Sequence, residues 1–124
     1  MAVVASTTLD LSNFQDKGHT TTWTPLTFTG LDTGAPEPGF GGSDRSVQVT
    51  GTLGAAGSVT IEGSNDGVNY GTLTDHQGNA LVLTALGIKS VDATCRLIRP
   101  RITAGDGTTS LTVTLMARRP GGVV

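Results

Sequence analysis

The chain of 124 residues has little cysteine, few aromatic residues and almost no net charge. Its single cysteine, Cys95, cannot form an internal disulfide, which excludes the disulfide-stapled scaffold typical of small secreted proteins. Because Cys95 comes just before the apolar Leu97 and Ile98, we interpret it as a buried structural thiol. Aromatic residues make up only 4% of the chain, so the predicted core is thin and mostly aliphatic.

Neither sign of charge dominates, since 8 basic and 10 acidic residues give a net charge of −2 at pH 7. A free-standing nucleic-acid-binding protein usually carries a basic excess on one face, so we expect no nucleic-acid partner. No apolar run approaches the roughly 20 residues of a membrane helix, and the first residues do not resemble a signal peptide. We therefore expect no membrane partner and synthesis in a reducing cytoplasm.

The residue types that carry catalysis or bind metals are also scarce. His19 and His76 both lie in polar segments, and the pair Asp75-His76 has no Gly-x-Ser-x-Gly elbow to supply a nucleophile. One cysteine and two distant histidines do not make a zinc site, and residues 64–69 offer oxygen atoms without the spacing of a calcium loop. We predict that the protein is not an enzyme, with no catalytic residues, no metal ligands and no cofactor.

Glycine, at 18 residues, and threonine are abundant instead, and they favour turns and strands respectively. Residues 58–63 alternate apolar Val59 and Ile61 with polar Thr60 and Glu62, which is typical of a strand with one solvent face. An Asn-Asp-Gly sequence follows and predicts a hairpin turn. Similar runs, with turns about every 8–12 residues, predict an all-β fold. We expect an antiparallel β-sandwich or jelly-roll-like barrel of about seven or eight short strands.

The same alternation predicts which side chains form the core. The inward-facing positions are Val47, Val49, Val59, Ile61, Ile98, Ile102, Leu111, Val113 and Leu115.

The chain is expected to be one domain with extended ends. Residues 1–22 are polar and show little periodicity, so we interpret them as an N-terminal arm. Residues 23–117 form the predicted sandwich, with a Gly- and Pro-rich loop at residues 30–43, and residues 118–124 form a C-terminal tail. A proline within the strand predicted at residues 23–29 indicates an edge position.

Arg99 and Arg101 lie on one face of a predicted strand. Strand arginines can be ion-paired or solvated, or they can form a partner surface, since arginine is enriched at interfaces. With aromatic and basic residues of the arms and loop, the candidate partner contacts are Phe14, Lys17, Trp23, Phe40, Arg99, Arg101, Arg118 and Arg119.

Four segments resemble a group of small structural proteins of tailed bacteriophages. They are GSVTIEGSNDG at residues 57–67, TLTDHQGNAL at 72–81, RLIRP at 96–100 and TVTLMARR at 112–119. The resemblance spans about residues 45–119, and in size, low charge and Thr/Gly content the chain is similar to capsid cement, or decoration, proteins. It implies a non-enzymatic virion protein on the capsid surface, made in the host bacterial cytoplasm. It also implies the major capsid protein as partner and a homo-oligomer, either a dimer or a trimer.

Two other roles stay open at this point. One is a tail or head–tail-joining component of the virion. The other is a carbohydrate-binding module for host attachment, since the hairpin at residues 63–70 is similar to one in discoidin-like, or galactose-binding-like, sandwich domains, where it belongs to the scaffold and not to the sugar site. An exposed aromatic pair on one sheet face would favour sugar binding, whereas arms that reach away from the domain would favour assembly.

Overall fold

The computed structural model describes residues 3–11, 18–38, 44–93 and 95–118, and all regular elements within these ranges are strands. The seven-stranded sheet consists of β1 (Val3–Val4), β4 (Thr33–Gly34), β5 (Glu37–Pro38), β7 (Ser58–Ser64), β8 (Gly71–Thr72), β9 (Val82–Leu83) and β11 (Leu97–Ala104). The five-stranded sheet consists of β2 (Ser6–Leu11), β3 (Gly18–Thr27), β6 (Asp44–Thr52), β10 (Gly87–Val91) and β12 (Ser110–Arg118). The sheets do not close into a barrel, so the predicted all-β sandwich is confirmed.

The strand order is β1-β4-β11-β7-β8 in the larger sheet, where β5 also pairs with β11 and β9 also pairs with β7. In the smaller sheet the order is β10-β6-β12-β3-β2. The short β1–β4 pair is parallel, and the long neighbours in both sheets are antiparallel. Among the described residues there is no helix long and apolar enough to cross a membrane.

The core lies between the two sheets and follows the alternation of the long strands. Every side chain predicted to face inward is buried, with at most 4% of its surface exposed. Trp23, Leu26, Leu81 and Val91 complete this core. Gly34 brings β4 close to it, because a Cβ at this position would lie 2.5 Å from Pro100 and 2.7 Å from Trp23. Cys95 packs against the core but is partly exposed, so the prediction of a buried thiol holds only in part.

The N-terminal segment differs from the predicted arm. Residues 6–11 form β2, which pairs along β3 from Ser6↔Trp23 to Leu11↔Gly18. Val3 and Val4 pair instead with β4 of the other sheet. The interpretation of residues 1–22 as an arm is therefore wrong for the described part, which joins both sheets. Threonine at both inward and outward positions hides the period of two that marks the other strands.

The proline in β3 does not mark an edge, since β3 lies between β12 and β2. The β3–β12 register shifts between Leu111↔Leu26 and Val113↔Trp23, so Pro25 lies in a bulge. Pro25 also lies beyond the end of β2, whose last partner in this direction is Trp23. No ladder hydrogen bond is required from its nitrogen, and a bulge tolerates proline inside a sheet.

The predicted long loop at residues 30–43 contains β4 and β5 in its described part. These two-residue strands pair with one edge of β11. The preceding turn is closed by Asp32, whose carboxylate accepts hydrogen bonds from the Thr27 nitrogen at 2.8 Å and its hydroxyl at 2.9 Å. Strands of two residues carry no detectable periodicity, which explains why the sequence predicted only a loop.

Candidate partner-binding surface

The outer face of the seven-stranded sheet carries a compact ionic cluster, which we call the arginine cluster. Arg99 Nε donates to Glu62 Oε1 at 3.0 Å, and Arg101 Nε donates to Glu62 Oε2 at 3.0 Å. One carboxylate therefore joins two guanidinium groups, and the cluster keeps one net positive charge.

Strand geometry places these three side chains together. Arg99 and Arg101 are two residues apart on β11 and so point to the same face. Arg99 pairs with Glu62 across the β11–β7 ladder, and Arg101 pairs with Thr60, so Glu62 lies beside both arginines. Alternation predicted the common face of the arginines, whereas the acidic partner depends on a register between strands far apart in sequence.

Glu62 is only 6% exposed although it lies on the outer face of its sheet. A buried carboxylate is tolerated when it is paired and hydrogen-bonded, and here both of its oxygens accept charge-assisted bonds. The side chains of Arg99 and Arg101 are 24% and 44% exposed, so the positive groups form the outer layer of the cluster.

Tyr70 fixes one side of this layer. The guanidinium carbon of Arg99 lies 3.6 Å from the centre of the Tyr70 ring, which is a close cation–π contact. Tyr70 follows the loop after β7, so that loop and β11 both hold Arg99.

Apolar side chains flank the cluster along one register row. Across the sheet this row contains Val82, Thr60, Arg101, Thr33 and Val3. The terminal valines are exposed, Val82 by 45% and Val3 by 65%. We call the surface formed by Val3, Tyr70, Val82, Arg99 and Arg101 the arginine face. Arginine and tyrosine with apolar neighbours are the composition of a protein–protein interface.

Of the other predicted contact residues, the two that the structure describes, Trp23 and Arg118, lie elsewhere. The structure buries Trp23, whose indole nitrogen donates to the Ala35 carbonyl at 2.9 Å, so its prediction as a partner contact is wrong. Arg118 ends β12 and forms an ion pair with Asp44 at 3.4 Å. Phe14, Lys17, Phe40 and Arg119 lie outside the described residues.

The outer face of the five-stranded sheet has a different character, and we call it the threonine face. From the register and the alternating burial of its strands, its positions are Thr7, Leu9, Thr20, Thr22, Thr24, Ser46, Gln48, Thr50, Ile88, Ser90, Thr112, Thr114 and Met116. None of these residues is charged, but by the same register the ion pair of Asp44 with Arg118 lies at one end of this face. Hydroxyls on neighbouring strands form hydrogen bonds, as between Thr24 and Thr112 at 2.6 Å.

His76, the histidine considered for catalysis, pairs with Asp92 and not with the adjacent Asp75 that the sequence suggested. His76 Nδ1 lies 3.0 Å from Asp92 Oδ1, and both side chains are exposed. Ser90 is close, but its hydroxyl accepts a hydrogen bond from the His76 backbone nitrogen at 3.1 Å. The Asp75 carboxylate accepts hydrogen bonds from the backbone nitrogens of Asn79 and Gln77, which lower its pKa. The described contacts therefore give Ser90 no bond to the imidazole.

The oxygen-rich loop at residues 64–69 closes on its own carboxylate. Asp66 accepts hydrogen bonds from the Asn69 side chain, the backbone nitrogens of Asn69 and Val68, and the Ser64 hydroxyl. These donors hold the pKa of Asp66 far below its ordinary value. Within the described ranges, histidine, cysteine and carboxylate side chains form no group of three or more around one point.

Comparison with known proteins gives a fold relationship only. No family model and no curated protein sequence matches the chain. The SPBc2 prophage-derived protein YomS is similar in structure, with a TM-score of 0.57 and 10% identity, covering 82% of this chain and 94% of that chain. A recombinant oxalate oxidase in complex with glycolate gives a TM-score of 0.44 and 18% identity, covering 94% of this chain and 52% of that chain. At these identities the likeness to YomS establishes a shared fold, and the lower score of the oxidase supports no argument.

Proposed function

We propose that this chain is a non-enzymatic structural protein of a bacteriophage virion, and specifically a capsid decoration protein that binds the major capsid protein shell. In this role it acts on the capsid surface as a homo-oligomer, a dimer or a trimer. The observation that carries the proposal is the arginine face, a surface with the composition of a protein–protein interface on the outside of a small sandwich.

Two further observations support a phage origin. The sequence resembles small tailed-phage structural proteins over about residues 45–119. The similar fold of YomS occurs in a protein derived from a prophage.

A free N-terminal arm does not supply the contact with the shell. Residues 3–11 are bound within the sandwich, so adhesion through this segment as a free arm is not part of the proposal. The arginine face replaces it as the contact region, because its charges are held in place before any partner arrives.

Sugar binding is less well supported by the described aromatic residues. Trp23 is buried, Phe28 packs against the core, and Tyr70 stacks on Arg99. A sugar site generally needs an exposed aromatic platform, and these three rings do not form a pair on one sheet face. A tail or head–tail-joining protein would use the same kind of protein–protein contact. An experiment therefore has to distinguish these roles from decoration.

The test is to add the purified protein to phage shells that were assembled without it. Decoration predicts saturable co-sedimentation with the shells and, by cryo-electron microscopy, density at repeated positions on the outer surface. Localisation at the tail or the portal vertex would instead establish the joining role. Binding to host glycans without binding to shells would overturn the structural role.

A further inference from the structure

We propose that the arginine cluster is a carboxylate-binding site, in which Arg99 and Arg101 together take an acidic side chain of a partner protein. This inference rests on the proposed function for the identity of the partner, which would be an acidic segment of the capsid shell. The carboxylate chemistry itself depends only on the geometry of the cluster.

The cluster has hydrogen-bond donors available for an incoming anion. A guanidinium group carries five N–H donors, and the bond to Glu62 uses the one on Nε. The Nη donors of Arg99 and Arg101 have no hydrogen-bond partner among the described residues. Nη donors from adjacent arginines match the two oxygens of a carboxylate.

Glu62 and Tyr70 orient the arginines in advance. Each Nε is bonded to a different oxygen of a nearly buried carboxylate, and Arg99 also lies against the Tyr70 ring. Long flexible side chains normally lose rotamer freedom when they bind a partner. Here much of that freedom is lost on folding, which favours binding of the partner.

The charge of the cluster favours a protein carboxylate over a nucleic-acid backbone. Two arginines and one glutamate leave a single net positive charge, and the whole chain carries −2. Nucleic-acid binding without a basic excess is unfavourable, because its affinity comes mainly from neutralising several phosphates. The exposed Val3 and Val82 in the same row also suit a protein surface, which offers apolar contacts beside its charges.

The test begins with the unmodified protein and an acetylated hexaglutamate peptide. Nuclear magnetic resonance follows the Nε–Hε signals of the arginines while the peptide is added. We expect the signals of Arg99 and Arg101 to shift and saturate together, with Arg96 unaffected as an internal reference. Shifts of similar size at every arginine would overturn the proposal. Tighter binding of inorganic phosphate or of a single-stranded oligothymidylate would overturn it in favour of a phosphate ligand.

Two variants with the same change in net charge separate a site from general electrostatics. Arg101→Gln, at the more exposed arginine, should weaken peptide binding about tenfold, the effect of losing one charge-assisted contact. Arg96→Gln lies off the cluster and is expected to change binding by less than about twofold, because exposed charges at a distance are screened. Equal effects of the two variants would contradict the proposed site. If Arg101→Gln binds shells as well as the unmodified protein does, the carboxylate site is wrong and the decoration role stands.

Discussion

At residue 61 the packing of a single side chain can be tested directly. Ile61 is 1% exposed, and its backbone bonds both to Leu81 and to Leu73 in the middle of the larger sheet. Ile61→Ala removes buried methyl groups and leaves a cavity, which should lower the free energy of unfolding by about 2–5 kcal/mol. Urea denaturation measures this change. Val68→Ala, at a side chain that is 79% exposed, is the control and should stay within about 0.5 kcal/mol.

Asp106 closes the turn between β11 and β12 and makes stability depend on pH. The Thr108 hydroxyl and the backbone nitrogens of Ala55 and Thr108 donate to its carboxylate, which lowers its pKa to about 2 from 3.8. The folded-state pKa is below the unfolded one, so ionised Asp106 stabilises the fold. This contribution is fully present above the unfolded pKa of 3.8 and is lost as the pH falls toward about 2.

The prediction is that Asp106→Asn lowers stability at neutral pH and flattens its decline below pH 3.8. Chemical denaturation midpoints, measured between neutral pH and the folded-state pKa of about 2, give both quantities. Thr108→Val removes one donor and keeps the carboxylate, so it should flatten the decline less. The pKa of Asp66 is also lowered in the folded protein, so the stability of the variant still declines to some extent at low pH. A variant as acid-sensitive as the unmodified protein would show that the turn does not contribute.

Among the elements, β2 and β1 together join the two sheets. β2 covers the edge of β3, while Val4 accepts a hydrogen bond from the Ala35 nitrogen beside the other sheet. The Ser6 hydroxyl also donates to the Glu37 carboxylate. The N-terminal segment is therefore bound at several points along its described length.

Deleting residues 1–11 should lower the thermal midpoint and increase aggregation, because an unpaired β3 exposes edge donors and acceptors. Differential scanning calorimetry and light scattering measure the two effects. Deleting residues 1–2 alone keeps both strands and serves as the control. An unchanged midpoint after the longer deletion would restore the interpretation of this segment as a free arm.

The sequence predicts a strand well where apolar and polar residues alternate clearly, and poorly where they do not. In β6, β11 and β12, valine, leucine and isoleucine alternate with polar residues, so their inward and outward faces are confirmed. In β7 the inward positions are confirmed, but the predicted solvent face is wrong, because all seven of its residues are buried and Glu62 is covered by the two arginines that it binds. β2 and the first half of β3 are threonine-rich on both faces and were missed. The arginine face was found in part, because Arg99 and Arg101 share a strand. Glu62 and Val82 join it through pairing between distant segments, which no local pattern encodes.

The molecule as a whole presents two sheet faces of opposite character. The arginine face combines fixed positive charge with exposed valines, and the threonine face carries mainly hydroxyls, with the Asp44–Arg118 ion pair at one end. The two lie on opposite sides of one core, since each is the outer face of its sheet. A single protein face is sufficient for attachment to a shell, and the charged face supplies the more specific contacts.

Two substitutions with equal changes in net charge test which face attaches. Arg101→Gln removes one positive charge from the arginine face, and Gln48→Glu adds one negative charge to the threonine face. Gln48 is exposed, whereas Arg101→Gln takes one of two partners from the nearly buried Glu62, so circular dichroism first checks that each variant is folded. If the arginine face binds the shell, Arg101→Gln weakens co-sedimentation and reduces its sensitivity to salt, while Gln48→Glu binds as the unmodified protein does. The reverse result would place the contact on the threonine face, where a new charge would be buried without a partner.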